Sequence, residues 1–156
     1  MFDYETIPLH WVNRLSFLVR KELGQRFQAN GFRVSAEEWA VLLLLWRYTE
    51  RTPGVIADAT FRDRTTVTRL IDGMVKKKLV ERDTDPDDRR KSIVRASDYG
   101  NRLKDELVPI ARDLISETLQ DIEPNDIEIT VRTLTHMTRN LLPEGLPHTR
   151  EHIGKE

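Results

Sequence analysis

Two helix-start signals lie close together in the middle of the chain, and their spacing constrains the fold more than any other feature. Thr52 is a capping residue followed by Pro53, which suits the first turn of a helix, and Asp63 is an N-cap residue for the next stretch. The first helix, over GVIADAT, is therefore short, and only a tight turn separates it from the second. This order of elements predicts a helix-turn-helix.

A β-hairpin is predicted directly after this helix pair. Two short runs that mix apolar and polar residues, 79–82 and 92–95, flank a segment rich in aspartate and arginine. Pro86 fixes a backbone angle there, and the aspartates can accept the hydrogen bonds of a turn. A helix-turn-helix followed by a β-ribbon is a winged helix-turn-helix. We therefore expect a mainly α fold with a small β-wing, in the α+β class.

Longer helices are predicted on both sides of this core. Apolar residues at helical spacing predict a first helix over 8–29, and Ser35 with Glu38 forms a capping box at the start of the next one. After the hairpin, Ser97 caps a long helix that Pro109 is expected to kink. A last helix follows it.

The outer helices carry more apolar surface than one small domain can bury. Exchange of these helices between two copies would cover that surface, so we expect a symmetric homodimer. We expect 1–156 to be a single domain with a winged-helix core over about 35–100, dimerisation helices over 8–30 and 98–142, and a loose polar tail over 143–156.

The second helix of the pair, over 64–78, has the composition of a helix that reads DNA. Its apolar residues, Val75 among them, fall on one face, and threonines and an arginine fall on the other. Short hydroxyls and arginine suit close approach to phosphates and base edges. Asp72 is expected to pair with Arg69 or Lys76. A surface helix with incidental threonines is the alternative. The candidate DNA-binding residues of this helix are Arg64, Thr65, Thr66, Thr68 and Arg69.

Positive charge is concentrated in the same region. Residues 62–95 contain eleven basic and seven acidic residues, a net charge of +4, whereas the whole chain carries −1 and the remainder therefore −5. A basic module on an acidic body is typical of proteins that bind nucleic acid.

The tip of the hairpin is a second candidate DNA contact. Arginines are favoured in a narrow minor groove, because the groove concentrates negative potential. Asp88 lies two residues before Arg90 and is placed to orient it, whereas Asp85 and Asp87 are interpreted as turn formers. A solvated charged turn is the alternative. The candidate DNA-binding residues of the wing are Asp88, Arg89, Arg90 and Lys91.

The run TPGVIADATFRDRTTVTRLIDGMVKKKLVERDTDPDDRRKSIVRASDYG resembles the core of the MarR (multiple antibiotic resistance regulator) family. The family's wing pattern, D-x-R followed after five residues by L-T, appears at 88–97 as DRR, KSIVR and AS. The turn before the second helix departs from the family's Leu-Gly-Leu and contains TFR at 60–62. The resemblance implies an obligate dimer, a pseudo-palindromic operator, usually repression, and often release by a small phenolic or aromatic acid.

Three residues near the start of the first helix are candidates for binding such a ligand. His10, Trp11 and Arg14 combine stacking surface with a partner for an anion. The alternative is that Trp11 belongs to a dimer core and Arg14 forms a surface salt bridge. Trp39 and Trp46 lie in the most apolar helix and are predicted to be packing residues.

Other functions have less support in the sequence. There is no Gly-rich phosphate loop after a strand, no nucleophile with a credible base and no convergent acidic pair, so we expect no enzymatic activity and no cofactor. A metal-responsive regulator is an alternative, because His148 and His152 have i, i+4 ligand spacing. A winged helix that binds only protein is another.

The sequence also indicates a location in the cell. It contains no cysteine, which excludes disulfides, and no apolar run of about 18 residues that could cross a membrane. Its first residues lack the basic and apolar regions of a signal peptide. We therefore expect a cytoplasmic protein.

Overall fold

Six α-helices and three short strands make up the part of the chain that the structure, a computed structural model, describes, namely residues 3–142. A single 3-10 turn, Tyr4–Thr6, precedes them. In chain order the elements are α1 (Pro8–Ala29), α2 (Ala36–Tyr48), β1 (Glu50–Arg51), α3 (Pro53–Thr60), α4 (Arg64–Lys76), β2 (Val80–Thr84), β3 (Ser92–Ala96), α5 (Asp98–Thr118) and α6 (Pro124–Leu141). The predicted mainly α fold with a small β-wing is confirmed.

The helices begin where the capping residues predict. Ser35 and Glu38 form a reciprocal capping box at the start of α2: the Ser35 hydroxyl accepts from the Glu38 N–H at 3.1 Å, and Glu38 Oε2 accepts from the Ser35 N–H at 2.9 Å. Thr52, Asp63 and Ser97 each accept a backbone N–H at the start of α3, α4 and α5. These side chains satisfy donors that a helix leaves unpaired in its first turn.

The sheet has three strands in the order β1-β3-β2, all antiparallel. β2 and β3 form the predicted hairpin, with Val80 opposite Ala96 and Thr84 opposite Ser92. β1 is an addition to the sequence prediction. Its two residues pair with β3 and have no alternating pattern long enough to be recognised in the sequence.

One apolar core joins α1 to α5 and the base of the hairpin. Its fully buried side chains include Phe27 from α1, Leu42 from α2, Ile56 from α3 and Leu107 from α5. Burial of these side chains is the main favourable contribution to folding. The core residues of α4 are Val67, Ile71 and Met74.

The two central tryptophans pack against this core, as predicted. The Trp39 ring lies 5.4 Å from the Phe27 ring and 5.6 Å from the Trp46 ring, measured between centroids. The indole N–H of Trp46 donates to the Gly100 carbonyl at 3.2 Å, which links α2 to the start of α5.

The outer helices leave large apolar side chains in solvent. None of the residues of α6 is buried, and α1 buries only Leu23 and Phe27. The exposed apolar residues of α1, α5 and α6 are Leu9, Trp11, Val12, Leu15, Phe17, Leu18, Tyr99, Ile115, Ile129, Val131, Leu134 and Leu141.

The predicted tail 143–156 and its two histidines, His148 and His152, lie outside the described residues. α5 runs without interruption from Asp98 to Thr118 past Pro109. Within residues 3–142, no helix is both long and apolar enough to cross a membrane.

Gly100 offers a direct test of how α5 packs on the hairpin. A Cβ at this position would clash with the backbone carbonyl oxygen of Leu79. Gly100→Ala should therefore lower the free energy of unfolding by about 1–3 kcal/mol, measured by urea denaturation. The matched control is Gly24→Ala in α1, where a Cβ meets no atom within 4 Å. That change should instead be neutral or stabilise by about 0.5–1 kcal/mol. Equal effects of the two substitutions would contradict this packing.

Candidate nucleic-acid interface

Helix α4 has one buried face and one polar exposed face. Val67, Ile71 and Met74 are buried, whereas Thr65 and Arg69 are exposed. The division follows the predicted helical periodicity with one correction. Val75, expected on the buried face, is 40% exposed, because it lies at the edge of the apolar stripe near the end of the helix.

The first turn of α4 is held by Asp63. Its carboxylate accepts the Thr66 N–H at 2.8 Å and the Thr66 hydroxyl at 2.6 Å. The hydroxyl bond, followed by the backbone bond, holds the pKa of Asp63 below its usual range. The helix start is therefore fixed by a carboxylate that stays ionised near neutral pH.

The hydroxyls of the α4 threonines are not equivalent. Thr66 donates to Asp63, and Thr68 donates to the Arg64 carbonyl at 2.8 Å. The Thr65 hydroxyl has no hydrogen-bond partner within the described part of the chain. Thr65 can therefore donate to an outside acceptor without breaking a bond, whereas the other two offer a lone pair or a methyl group.

The two arginines of α4 also differ in their surroundings. The Arg64 guanidinium lies beside Gly54 in the first turn of α3, where a Cβ on the glycine would approach it to 3.7 Å. Arg69 is exposed and forms no ion pair within residues 3–142. Its guanidinium is therefore available to an external acceptor.

Asp72 connects α4 to the wing. Its Oδ1 lies 2.9 Å from Nη2 of Arg82 on β2. The expectation that Asp72 pairs with Arg69 or Lys76 is wrong. Helical spacing allowed those partners, but the fold places β2 alongside α4 and supplies an arginine that is distant in the helix pattern. The one acid on the exposed face of α4 is thus neutralised by the wing.

The wing tip is a turn built by Asp85. Its Oδ1 accepts from the Asp87 N–H at 2.8 Å and lies 3.4 Å from the Asp88 N–H. Backbone bonds between Asp85 and Lys91 at 2.9 Å, and between Lys91 and Asp88 at 2.9 Å, close the loop. Asp85 is the turn former that the sequence predicts, whereas Asp87 contributes only its backbone N–H.

Asp88 holds Arg90 as predicted. Its Oδ1 accepts from the Arg90 backbone N–H at 3.0 Å and from its Nε at 3.3 Å. The Arg90 side chain is nevertheless 92% exposed, so the bond orients the guanidinium without covering it. Arg89 and Lys91 are also exposed. The lining of a shallow pocket of about 360 Å³ on the wing includes Arg89, Arg90 and Lys91, together with Arg82 and Ser92.

The candidate ligand residues lie at the exposed start of α1. The His10 ring contacts the rings of Tyr4 and Trp11 at 4.9 and 5.3 Å, and the Trp11 indole donates to the Glu5 carbonyl at 2.8 Å. Arg14 is exposed one turn later. These three residues do not line the cavities formed by α1 with α2, α3 or α5 that are described below, and their role stays a prediction.

Two cavities meet at Trp39 instead. One of about 530 Å³ lies between α1, α2 and α3, and its charged lining residues are Arg20, Glu37, Arg47 and Arg62. The other, of about 350 Å³, lies between α1, α2 and α5 and has Arg112 among apolar side chains. Sequence reasoning missed both, because their walls come from helices that are far apart in the chain.

Metal coordination has no candidate within residues 3–142. No group of three or more His, Cys, Asp or Glu side chains there could hold an ion. The two tail histidines fall outside this range.

Comparisons with known proteins agree with this geometry. The model of the MarR family matches residues 34–91, which run from α2 through the wing tip. The predicted resemblance to that family is confirmed over this segment, and the chain has a winged-helix fold. No protein of curated function matches the sequence.

Solved structures extend the likeness to the outer helices. The chain is similar to BpsR of Bordetella bronchiseptica, whose DNA binding is regulated by 6-hydroxynicotinic acid, with 24% identity, 88% of this chain and 97% of that chain covered, and a TM-score of 0.78. A MarR-family regulator from Silicibacter pomeroyi matches with 24% identity, coverages of 88% and 92%, and a TM-score of 0.73. A mutant of MarR from E. coli in complex with operator DNA matches with 22% identity, coverages of 90% and 97%, and a TM-score of 0.74.

Proposed function

We propose that this protein is a transcriptional regulator that binds a pseudo-palindromic operator as a homodimer and represses transcription there. The observation that carries the proposal is the exposed arginine and threonine face of α4 beside a wing whose Arg90 is oriented but uncovered. Both surfaces belong to a winged helix of the MarR type. The start of such a helix enters the major groove, and the wing reaches the flanking minor groove.

Different side chains of α4 have different tasks in this proposal. Arg69 is the candidate for a two-bond contact to guanine, and Thr65 for a bond to a base edge or phosphate. Arg64 lies beside the start of α3 and suits a phosphate contact. The hydroxyl groups of Thr66 and Thr68 already donate hydrogen bonds within the protein, so we assign them contacts to DNA through an oxygen lone pair or the methyl group.

The wing adds charge and a pre-oriented arginine. Arg89 and Lys91 contribute attraction to phosphates, and Arg90 enters the minor groove. A free arginine loses side-chain entropy when it is ordered on DNA, and its bond to Asp88 supplies part of that order in advance. The acid thus strengthens binding through the arginine that it holds.

The dimer follows from the exposed apolar residues of the outer helices. Soluble monomers rarely expose contiguous apolar patches of more than a few hundred Å². α6 buries no residue in the single chain, although it carries Ile129, Val131 and Leu134. Pairing of α1, α5 and α6 with a second copy would cover these residues and place two α4 helices on the same face of DNA.

Release by a small aromatic acid completes the proposed regulation. The cavities beside Trp39 combine an indole face with arginines, which suits an aromatic ring that carries a carboxylate. Regulation of BpsR by 6-hydroxynicotinic acid supports this ligand class. His10, Trp11 and Arg14 remain a second candidate position, which a partner copy would have to complete.

The assembly can be measured directly. At micromolar concentration, sedimentation equilibrium should give twice the mass of the chain, because a monomer would leave the apolar residues of α6 in water. A stable monomer under these conditions would contradict the architecture.

Arg69→Ala tests base reading by α4. It should weaken binding to the operator by about 1–3 kcal/mol per half-site and relax the preference at one base position. Lys76→Ala is the matched control, because it removes the same charge from the far end of the same helix. The control should lower affinity for operator and random duplex alike, as measured by titration at fixed salt. If the two variants lose affinity for operator and random duplex in the same proportion, Arg69 contacts only phosphate.

For the Asp88–Arg90 pair, electrostatics and pre-orientation predict changes of opposite sign in operator affinity when Asp88 is removed. Removing a negative charge near DNA should improve binding on simple electrostatic grounds, whereas loss of pre-orientation should weaken it. We expect Asp88→Ala to weaken operator binding in the parent and to be neutral or mildly favourable once Arg90→Ala is present. Arg90→Ala alone should lower the slope of log K against log salt by roughly one unit for each phosphate that the protein no longer neutralises.

The measurement is a double-mutant cycle on operator DNA at several salt concentrations. Tighter operator binding by Asp88→Ala in the parent would show that the acid is only a turn residue.

A further inference from the structure

Two adjacent glutamates at the start of α2 contact opposite ends of α4. Glu38 accepts from the Nζ of Lys77, the residue that caps the end of α4, at 2.8 and 2.9 Å. Glu37 Oε1 lies 3.5 Å from Nη2 of Arg62, which directly precedes the N-cap residue Asp63. Side chains from the first turn of α2 therefore contact the residues that flank both ends of α4, the helix proposed to read DNA.

The Glu38 carboxylate lies in the protein interior, whereas the Lys77 side chain that pairs with it is partly exposed. Glu38 is only 5% exposed, and a buried carboxylate is costly unless it is paired and hydrogen-bonded. Its partners are the Ser35 N–H and the Lys77 ammonium, which also donates to the Arg33 carbonyl at 3.1 Å. Lys77, at the end of α4, is thus hydrogen-bonded both to the buried Glu38 carboxylate and to the loop before α2.

Apolar packing holds α4 on the core, but it constrains the tilt of the helix only weakly. Its buried residues form a single stripe of three side chains, and hydrophobic contact has no directional preference. A helix of 13 residues spans about 20 Å, so a small tilt about that stripe displaces its ends appreciably. The hydrogen bonds between Glu38 and Lys77 oppose such a tilt at one end, because they require a specific geometry. The Glu37–Arg62 ion pair adds attraction at the other end.

We propose that Glu37 and Glu38 are positioning residues that hold α4 at the angle needed to read base edges. This inference rests on the proposed DNA binding. Neither residue belongs to α4 or to the wing, and both act through the basic residues at the ends of the helix. Glu37 also lies 3.4 Å from Nη2 of Arg20, so the same carboxylate connects α1 to the turn before α4.

Positioning and simple electrostatics predict different results for the same variant. Glu37→Gln/Glu38→Gln removes two negative charges from each chain, which by charge alone would tighten binding to any DNA. Loss of positioning would weaken binding only where bases are read. Glutamine can still complete a capping box, so the start of α2 is retained.

The experiment measures the ratio of operator to random-duplex affinity in the intact protein, at a temperature where circular dichroism shows it folded. The ratio should fall about tenfold in the double variant, equivalent to the removal of one good base contact, while random-duplex affinity holds or rises. The matched control is Glu22→Gln/Glu117→Gln, which removes the same charge and both partners of Arg26. This control should keep the parental ratio.

Each outcome bears on a different proposal. A parental ratio in the double variant would overturn the positioning role and leave the proposed function intact. A parent that prefers no sequence would remove the proposed function and this inference with it. If the double variant does not fold, the single variants decide. Glu37→Gln changes only the partly exposed contacts with Arg62 and Arg20. An unchanged ratio in both single variants would overturn the inference.

Discussion

The fold depends on the burial of Val67, Ile71 and Met74, which fixes α4 against the core and decides which of its side chains face solvent. With that stripe inside, helical geometry directs Thr65 and Arg69 outward. The core below α4 comes from helices on both sides of it in sequence. The packing that stabilises α4 therefore also exposes its polar face, and this face exists only in the folded domain.

Six of the seven acids in the basic module between residues 62 and 95 have structural roles. Asp63 caps α4, Asp72 pairs with Arg82, Asp85 builds the wing turn and Asp88 orients Arg90. Two more, Glu81 and Asp83, both contact Arg95 across the hairpin. Arg64, Arg69, Arg89 and Lys91 form no ion pair within the described part of the chain. The acids of the module thus shape its structure, and four of its cations stay available to an outside partner.

The helix starts and the hairpin could be predicted from sequence because caps and turns are local: each needs residues within about four positions. The Asp88–Arg90 bond was predictable for the same reason. The Glu38–Lys77 pair could not be, since its partners lie 39 residues apart and meet only when α2 packs against the end of α4. The cavities at Trp39 require three helices at once. β1 is only two residues long and forms by pairing with β3, which is distant in sequence, so no local pattern predicts it.

Selection of binding sites from random duplex DNA tests most directly the claim that a symmetric pair of winged helices reads sequence. If two copies of α4 enter successive major grooves, the enriched sites should be inverted repeats with half-site centres about 10 base pairs, one helical turn, apart. A single unrepeated half-site would contradict the dimeric reading. No enrichment at low or moderate salt, despite retained affinity for bulk DNA, would contradict base reading by α4 altogether.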